Sequence, residues 1–314
     1  MTRVVVVTGA SSGIGLATAR AFARQGARLV LAGRSADSLE VAEGLCTFDG
    51  ADVLVVPTDV SQAAEVDALM EAAERRFGRV DVVVHAAAVM AYGRFEDVPS
   101  DIFDQVISVN VRGTANVGRS ALHGFRRQGG GTLIVVGSLL GLIAAPYLSS
   151  YVASKWAIHG LTRTWQIEVR SDPGVEVALV WPGSVNTPAF SQAANYAGRI
   201  GRPPPPVDPP EKVARQILRL ADRPSRSASV GVANGLTLFG FRNLPAFFDV
   251  LVTPLMTAGA LSRDEIAPHP GNVMVPRPVG DAEYGRWGRH WLRATAGTAA
   301  AAVLVAAGWK TLRR

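Results

Sequence analysis

Val4-Val5-Val6-Val7 is an unbroken apolar run, the pattern of a parallel strand covered on both faces. Strand-like runs recur at Arg28 to Ala32, Val53 to Val56, Val80 to Val84, Thr132 to Val136, Val175 to Trp181 and Ser229 to Ala233. Between them the apolar residues take helical spacing, at Leu16 to Arg24, from near Gln62, at Asp101 to Phe125, at Tyr151 to Arg170 and at Glu211 to Leu220. In the fourth of these, Ala157, Ile158, Leu161, Trp165, Ile167 and Val169 form one buried side. Strands and helices in alternation, over 314 residues, predict one large α/β domain followed by an appendage.

The turns after the strands carry the candidate chemistry. Thr8-Gly9-Ala10-Ser11-Ser12-Gly13-Ile14-Gly15 joins the first strand to the first helix. Gly9 permits a tight turn, Gly13 lets a pyrophosphate approach the backbone, Gly15 allows close helix packing, and the helix N-terminus supplies free N–H donors. A strand before and a helix after are the context that separates a dinucleotide cradle from an ordinary βα turn. The second strand ends in Gly33-Arg34-Ser35, where NAD-binding folds commonly hold the ribose 2′-hydroxyl with an acid. Arg34 suits a 2′-phosphate instead, so NADP is the favoured cofactor. Asp59 has two open roles, as acceptor for the adenine amino group or as cap of the helix near Gln62. Ligands of open parallel sheets sit beyond the carboxyl ends of the strands. Gly9, Arg34, Asp59, His85 and Ser138 are therefore expected on one rim, together with Pro182-Gly183-Ser184-Val185-Asn186-Thr187.

Tyr151 and Lys155 fall one turn apart on one helix face beside that rim. Free tyrosine titrates near pH ~10, about three units too high for acid/base work at neutral pH, and a fixed ammonium beside it favours the phenolate.

With these pieces in order, the chain resembles the short-chain dehydrogenase/reductase family along residues 4 to about 233. The resemblance rests on Thr8-Gly9-x3-Gly13-x-Gly15, Asp59-Val60, Asn110, Ser138, Tyr151-x3-Lys155 and Pro182-Gly183-x3-Thr187. It implies a Rossmann-type, doubly wound parallel sheet of about seven strands with helices on both faces. It implies a catalytic set of Ser138, Tyr151, Lys155 and Asn110. Ser138 would bind the carbonyl oxygen, Tyr151 would pass the proton, Lys155 would bind the nicotinamide ribose and lower the Tyr151 pKa, and Asn110 would hold a water linking Lys155 to solvent. NADP would lie against Thr8, Gly9, Ser11, Ser12, Gly13, Ile14, Gly15, Arg34, Asp59, Val60, Ala86, Ala87, Tyr151, Lys155, Pro182, Gly183, Val185 and Thr187. The implied reaction interconverts a carbonyl and an alcohol, and the implied assembly is a homo-oligomer through helices 101–125 and 151–170. A non-catalytic NADP-binding sensor or scaffold is the alternative. One stretch departs from the family: Asn-Asn-Ala-Gly after the fourth strand is replaced by His85-Ala86-Ala87-Ala88. His85 is expected to be a buried brace, bonded through one ring nitrogen.

The substrate side reads as apolar. Leu139, Leu140, Leu142, Ile143, Ala144, Ala145 and Tyr147 precede Tyr151, and Pro188, Ala189 and Phe190 follow the sixth strand. They suit a pocket for a lipophilic molecule, or packing beneath the loop or at a subunit contact. The proline-rich stretch Gly201 to Pro210 frames either a substrate lid over 188–210 or a rigid spacer.

Three parts are expected: a catalytic domain at 1–235, an extension and linker at 236–290, and a tail at 291–314. Leu236 to Leu255 reads as short helices interrupted by Pro245 and Pro254, covering the substrate side, and 263–290 reads as a poorly ordered linker. Ala294 to Trp309 is uncharged, with basic residues before and after it. As a helix it would be roughly 24 Å long, against a hydrocarbon core of about 30 Å, and its expected roles are a membrane anchor or a helix docked on the body or a partner.

Charge removes a nucleic-acid function from the picture. Of the net +6, a balance of +5 lies between Arg277 and Arg314, so the basicity belongs to the tail. The chain starts without a signal peptide, which points to cytosolic synthesis. The single cysteine, Cys46, rules out an internal disulfide or a cysteine metal cluster and reads as a spectator thiol in a surface-like stretch. No metal site is expected.

Overall fold

The computed structural model of the chain describes residues 2–277 and 281–287. Its first four strands are β1 (Val4–Thr8), β2 (Arg28–Gly33), β3 (Asp52–Pro57) and β4 (Val82–His85). A two-residue strand, β5 (Ala91–Tyr92), stands apart from them; β6 (Gly131–Val136) and β7 (Val175–Pro182) return to the same sheet. Two further short strands, β8 (Ala194–Asn195) and β9 (Arg199–Gly201), precede β10 (Ser227–Val230), and β11 (Leu261–Glu265) closes the series. The central sheet has seven strands in the order β10-β7-β6-β4-β1-β2-β3, every pairing parallel. The order reverses between β1 and β4, which opens a crevice at their carboxyl ends.

Alternation within the strands explains the two helical layers. Val5, Val7, Leu29 and Leu31 face α1 (Gly13–Ala23) and α2 (Ala36–Phe48) through Leu16, Phe22, Leu39 and Cys46. Val4, Val6, Val30 and Val83 face the other way. There they meet Val66 and Phe77 of α3 (Ala63–Phe77), Ile102 and Val106 of α4 (Ser100–Ile107), Val117 and Phe125 of α5 (Gly113–Gln128), and Ile158 of α6 (Ser149–Glu168). Each such side chain, fully buried, contributes roughly 1.5–3 kcal/mol. A one-turn helix α7 (Ala189–Gln192) follows β7, and α8 (Pro210–Asp222) packs on the α1 side through Val213, Ile217 and Leu220.

Several boundaries differ from the sequence pattern. α4 and α5 are joined by a π-helical turn, Ser108–Arg112, that carries Asn110. Cys46 is fully buried on the inner face of α2, not in a surface stretch, and burial pushes its thiol up to about 12. The seventh sheet strand stops at Val230, and 231–233 turn into α9 (Asn234–Asn243). Pro245 opens α10 (Pro245–Gly259), where a missing N–H costs nothing, and Pro254 lies inside that helix instead of ending it. This hairpin presents Leu236, Phe247, Val250 and Leu255 outward.

The stretch read as a poorly ordered linker is built into the fold over its described residues. β11 pairs antiparallel with β9, Asn195 and His269 exchange backbone hydrogen bonds, and Val273 is fully buried. The span 188–210 is likewise structured, with β8 paired to β5 and Asp208 bonded to Ser184 and Asn186. Among the described residues no helix is long and apolar enough to cross a membrane; the expected tail segment 294–309 lies outside them.

Candidate active site

The glycine turn sets the floor of the crevice. Gly9 adopts φ +67°, and a Cβ there would stand 2.7 Å from the Ala87 nitrogen. Only glycine accepts both that conformation and that approach. Gly13, at φ +52°, has the Thr187 side chain 3.0 Å from where its Cβ would be. Ile14 and Gly15 stand in the first turn of α1, where N–H groups have no intrahelical acceptor, and both line the groove. Free N–H donors with a helix N-terminus behind them fit an anionic pyrophosphate.

The groove brings together most of the residues singled out from the sequence. Gly9, Ser11, Ser12, Gly13, Ile14, Gly15, Arg34, Asp59, Val60, Ala86, Ala87, Ser138, Tyr151, Lys155, Pro182, Gly183, Val185 and Thr187 all line it. Thr8, His85 and Asn110 lie buried behind it instead. Asp59 accepts from the Ser61 N–H at 2.9 Å, a local turn that engages one of its two oxygens.

His85 uses both ring nitrogens, not one. Nδ1 is 2.8 Å from Thr8 Oγ1 and Nε2 is 3.0 Å from Thr114 Oγ1. The Thr114 hydroxyl donates to the Asn110 carbonyl at 2.5 Å, so it accepts from Nε2–H, and Thr8 in turn donates to Nδ1. Burial, with Lys155 nearby, pulls the His85 pKa down to about 3, so the brace is neutral. The Asn110 side chain is fully engaged as a donor: its amide bonds Val89 in both directions at 2.9 Å and reaches Ser154 Oγ at 3.0 Å.

At the far end of the groove Tyr151 and Lys155 project from the first two turns of α6. Lys155 Nζ lies 5.4 Å from the Tyr151 ring centroid and donates to the Val136 carbonyl at 3.0 Å. Burial pulls the lysine down to about 8. It pushes Tyr151 up to about 12, against a hydrogen bond with Ser138 that favours the phenolate. Burial therefore outweighs the lowering expected from the i, i+4 spacing. His159, which the sequence reading passed over, accepts from the Ser138 N–H at 3.4 Å; its position one turn beyond Lys155 on the same helix was the available signal. Met90, Leu140, Tyr147, Ala189, Phe190 and Met256 pack around Tyr151 as an apolar cluster. Tyr147 takes a left-handed φ of 69°, and its hydroxyl, 3.1 Å from Thr257 Oγ1, ties this wall to α10.

The C-terminal extension also reaches the groove. Asn272, Pro276, Arg277 and Asp281 line it, and Gln192 joins them from α7. The Arg34 guanidinium is held by the carbonyls of Asn272 and Val273, at 2.5 and 3.1 Å. No periodicity marks these residues, because their partners are distant in sequence.

A profile of the short chain dehydrogenase family matches residues 3–196. The chain belongs to this family. Short-chain dehydrogenases similar to it include a D-beta-hydroxybutyrate dehydrogenase of Rhizobium meliloti, 38% identical over 190 residues, 60% of this chain and 73% of that protein. The uncharacterized oxidoreductase YxnA of Bacillus subtilis is 32% identical over 302 residues, covering 93% of this chain and 82% of that one. That likeness runs well past the family profile into the C-terminal extension. Among solved short-chain dehydrogenases, an alcohol dehydrogenase of Thermococcus sibiricus complexed with 5-hydroxy-NADP superimposes with a TM-score of 0.64 at 33% identity, over 73% of this chain and 96% of that one. One from Burkholderia phymatum, in complex with NAD, gives 0.71 at 26% identity, over 78% and 95%.

Proposed function

We propose that this oxidoreductase is NADP-dependent and interconverts a carbonyl and an alcohol on a lipophilic small molecule. The observation that carries the reading is the convergence of Ser138, Tyr151 and Lys155 at the end of a groove that begins at the glycine turn. When bound, the nicotinamide supplies the hydride. Tyr151 Oη gives its proton to the substrate oxygen in reduction and receives it in oxidation. Ser138 donates a hydrogen bond to that oxygen and keeps it within reach of the phenol. Lys155, with one N–H on Val136, has others for the ribose hydroxyls. Asn110 is a positioning residue that ties the loop after β4 to Ser154, next to Lys155. His159 positions Ser138.

Arg34 at the end of β2, where no acid stands, supports NADP. So does the Thermococcus sibiricus relative with its hydroxylated NADP. The apolar cluster around Tyr151 supports a lipophilic substrate. The test is NADPH consumption across a panel of lipophilic aldehydes and ketones, with Tyr151→Phe beside the wild type. The variant is expected to bind NADPH normally and to lose about 10²–10⁴-fold in kcat. Tight NADPH binding with no Tyr151-dependent turnover across the panel would favour the sensor reading.

A further inference from the structure

Two runs of the C-terminal extension, 271–277 and 281–287, are fastened to both sides of the groove. On one side the Asn272 and Val273 carbonyls hold Arg34 at the end of β2, and the Ala282 carbonyl accepts the Gly13 N–H at 2.9 Å. Glu283 pairs with Arg20 of α1 at 2.7 Å, outside the groove lining. On the other side the Asn272 N–H donates to the Gln192 carbonyl at 2.8 Å, Gln192 Nε2 donates to Asp281 Oδ1 at 2.6 Å, and the Gly285 N–H donates to the Asn186 carbonyl at 3.2 Å. The two runs thus bridge the β2 and α1 side of the crevice to the segment after β7.

Among the charges of this bridge that line the groove, one is left over. Asp281 is turned to Gln192, Glu283 to Arg20, and Arg34 to the two carbonyls. Arg277 lines the same groove as the glycine turn, and among the described residues its guanidinium has no hydrogen bond or ion pair. With the Gly13 N–H taken by Ala282, the α1 donors of Ile14 and Gly15 line that groove together with Arg277, and a cation sharing a groove with such donors is complementary to phosphate.

We propose that residues 271–277 and 281–287 are a second wall of the dinucleotide site, which binds a phosphate of the cofactor through Arg277 and retains the cofactor by its ties to both sides. The proposal rests on reading the groove as a nicotinamide dinucleotide site. Retention follows because a dinucleotide lying against Gly9, Arg34 and Lys155 would have this wall bonded to both flanks of its path.

Full-length protein carrying Arg277→Ala, Arg277→Lys or Glu283→Lys is compared with wild type by NADPH and NADH fluorescence, at equilibrium and in stopped flow. Arg277→Ala is expected to raise Kd about tenfold, with Arg277→Lys recovering most of it. Equal weakening for both nucleotides assigns the contact to the pyrophosphate, and weakening confined to NADPH assigns it to the 2′-phosphate. Glu283→Lys, which loosens the wall at Arg20 without touching the groove, is expected to speed nucleotide release at least fivefold. Kd values within twofold of wild type for both nucleotides in Arg277→Ala, or unchanged release in Glu283→Lys, overturn the wall while leaving the dinucleotide site standing. If wild type binds neither nucleotide, the dinucleotide reading fails, and the wall with it.

Discussion

His85 donates from Nε2 to the Thr114 hydroxyl at 3.0 Å, and through it reaches the carbonyl of Asn110. The ring must stay neutral for its other nitrogen to accept from Thr8. Its pKa is about 3 in the fold, against about 6.5 in an unfolded chain. Between those values the unfolded state binds the extra proton, so this contribution to stability is full above pH ~6.5 and is lost as the pH falls toward 3. His159, pulled down to about 4, acts in the same sense. Denaturant unfolding at pH 7, 6 and 5 should show a shallower decline for His85→Asn than for wild type. Identical declines would remove His85 as a source of acid sensitivity.

The paired shifts at Tyr151 and Lys155 give the two reaction directions different pH profiles. With Tyr151 near 12, the phenol that donates in reduction is present throughout the neutral range, while the phenolate needed for oxidation grows about tenfold per pH unit. Oxidation kcat/KM should climb from pH 7 to 9. Reduction should stay level and then decline as Lys155 loses its proton through about 8. Parallel profiles in the two directions would be inconsistent with Tyr151 as the proton carrier.

Gly9→Ala places a methyl 2.7 Å from the Ala87 nitrogen at a φ of +67°. Destabilisation of about 1–3 kcal/mol is expected, with weaker dinucleotide binding because the turn and the loop after β4 must separate. Thermal unfolding and fluorescence titration test it; an unchanged Tm would mean that the two backbones part freely.

Arg34→Asp reverses a charge in the groove and turns a carboxylate toward the carbonyls of Asn272 and Val273. The NADPH:NADH ratio of kcat/KM should fall about tenfold or more, since a charge-assisted bond contributes about 1.5–3 kcal/mol. Absolute affinity for both nucleotides should also drop as the C-terminal segment is pushed away. A wild-type ratio would take Arg34 out of 2′-phosphate recognition.

Period and turn chemistry were enough to read the sheet. Runs such as Val4 to Val7 can be satisfied only by burial on both faces, and the Gly9 turn needs its strand and helix. The i, i+4 spacing of Tyr151 and Lys155 was legible for the same reason. Their protonation was not, because spacing conveys proximity but not the burial that drives Tyr151 upward. Cys46 misled because it stands among Gly44, Thr47 and Asp49, in a helix whose inner face is fixed by Val5 and Leu29. Residues 271–277 and 281–287 were illegible for a different reason. Their order comes from single bonds to partners as far off as Arg20, 263 positions from Glu283, and such bonds leave no local period.

The ties of Asp281 and Glu283 to opposite flanks of the groove also have a bearing on synthesis. β10, the last strand of the sheet, ends at Val230, and elongation at about 5–20 residues per second reaches Arg277 only about 2–10 s later. Nascent chains therefore complete a sheet whose crevice still lacks its second wall. A dinucleotide that enters in that interval meets no obstruction, and residues 271–277 and 281–287 then close behind it.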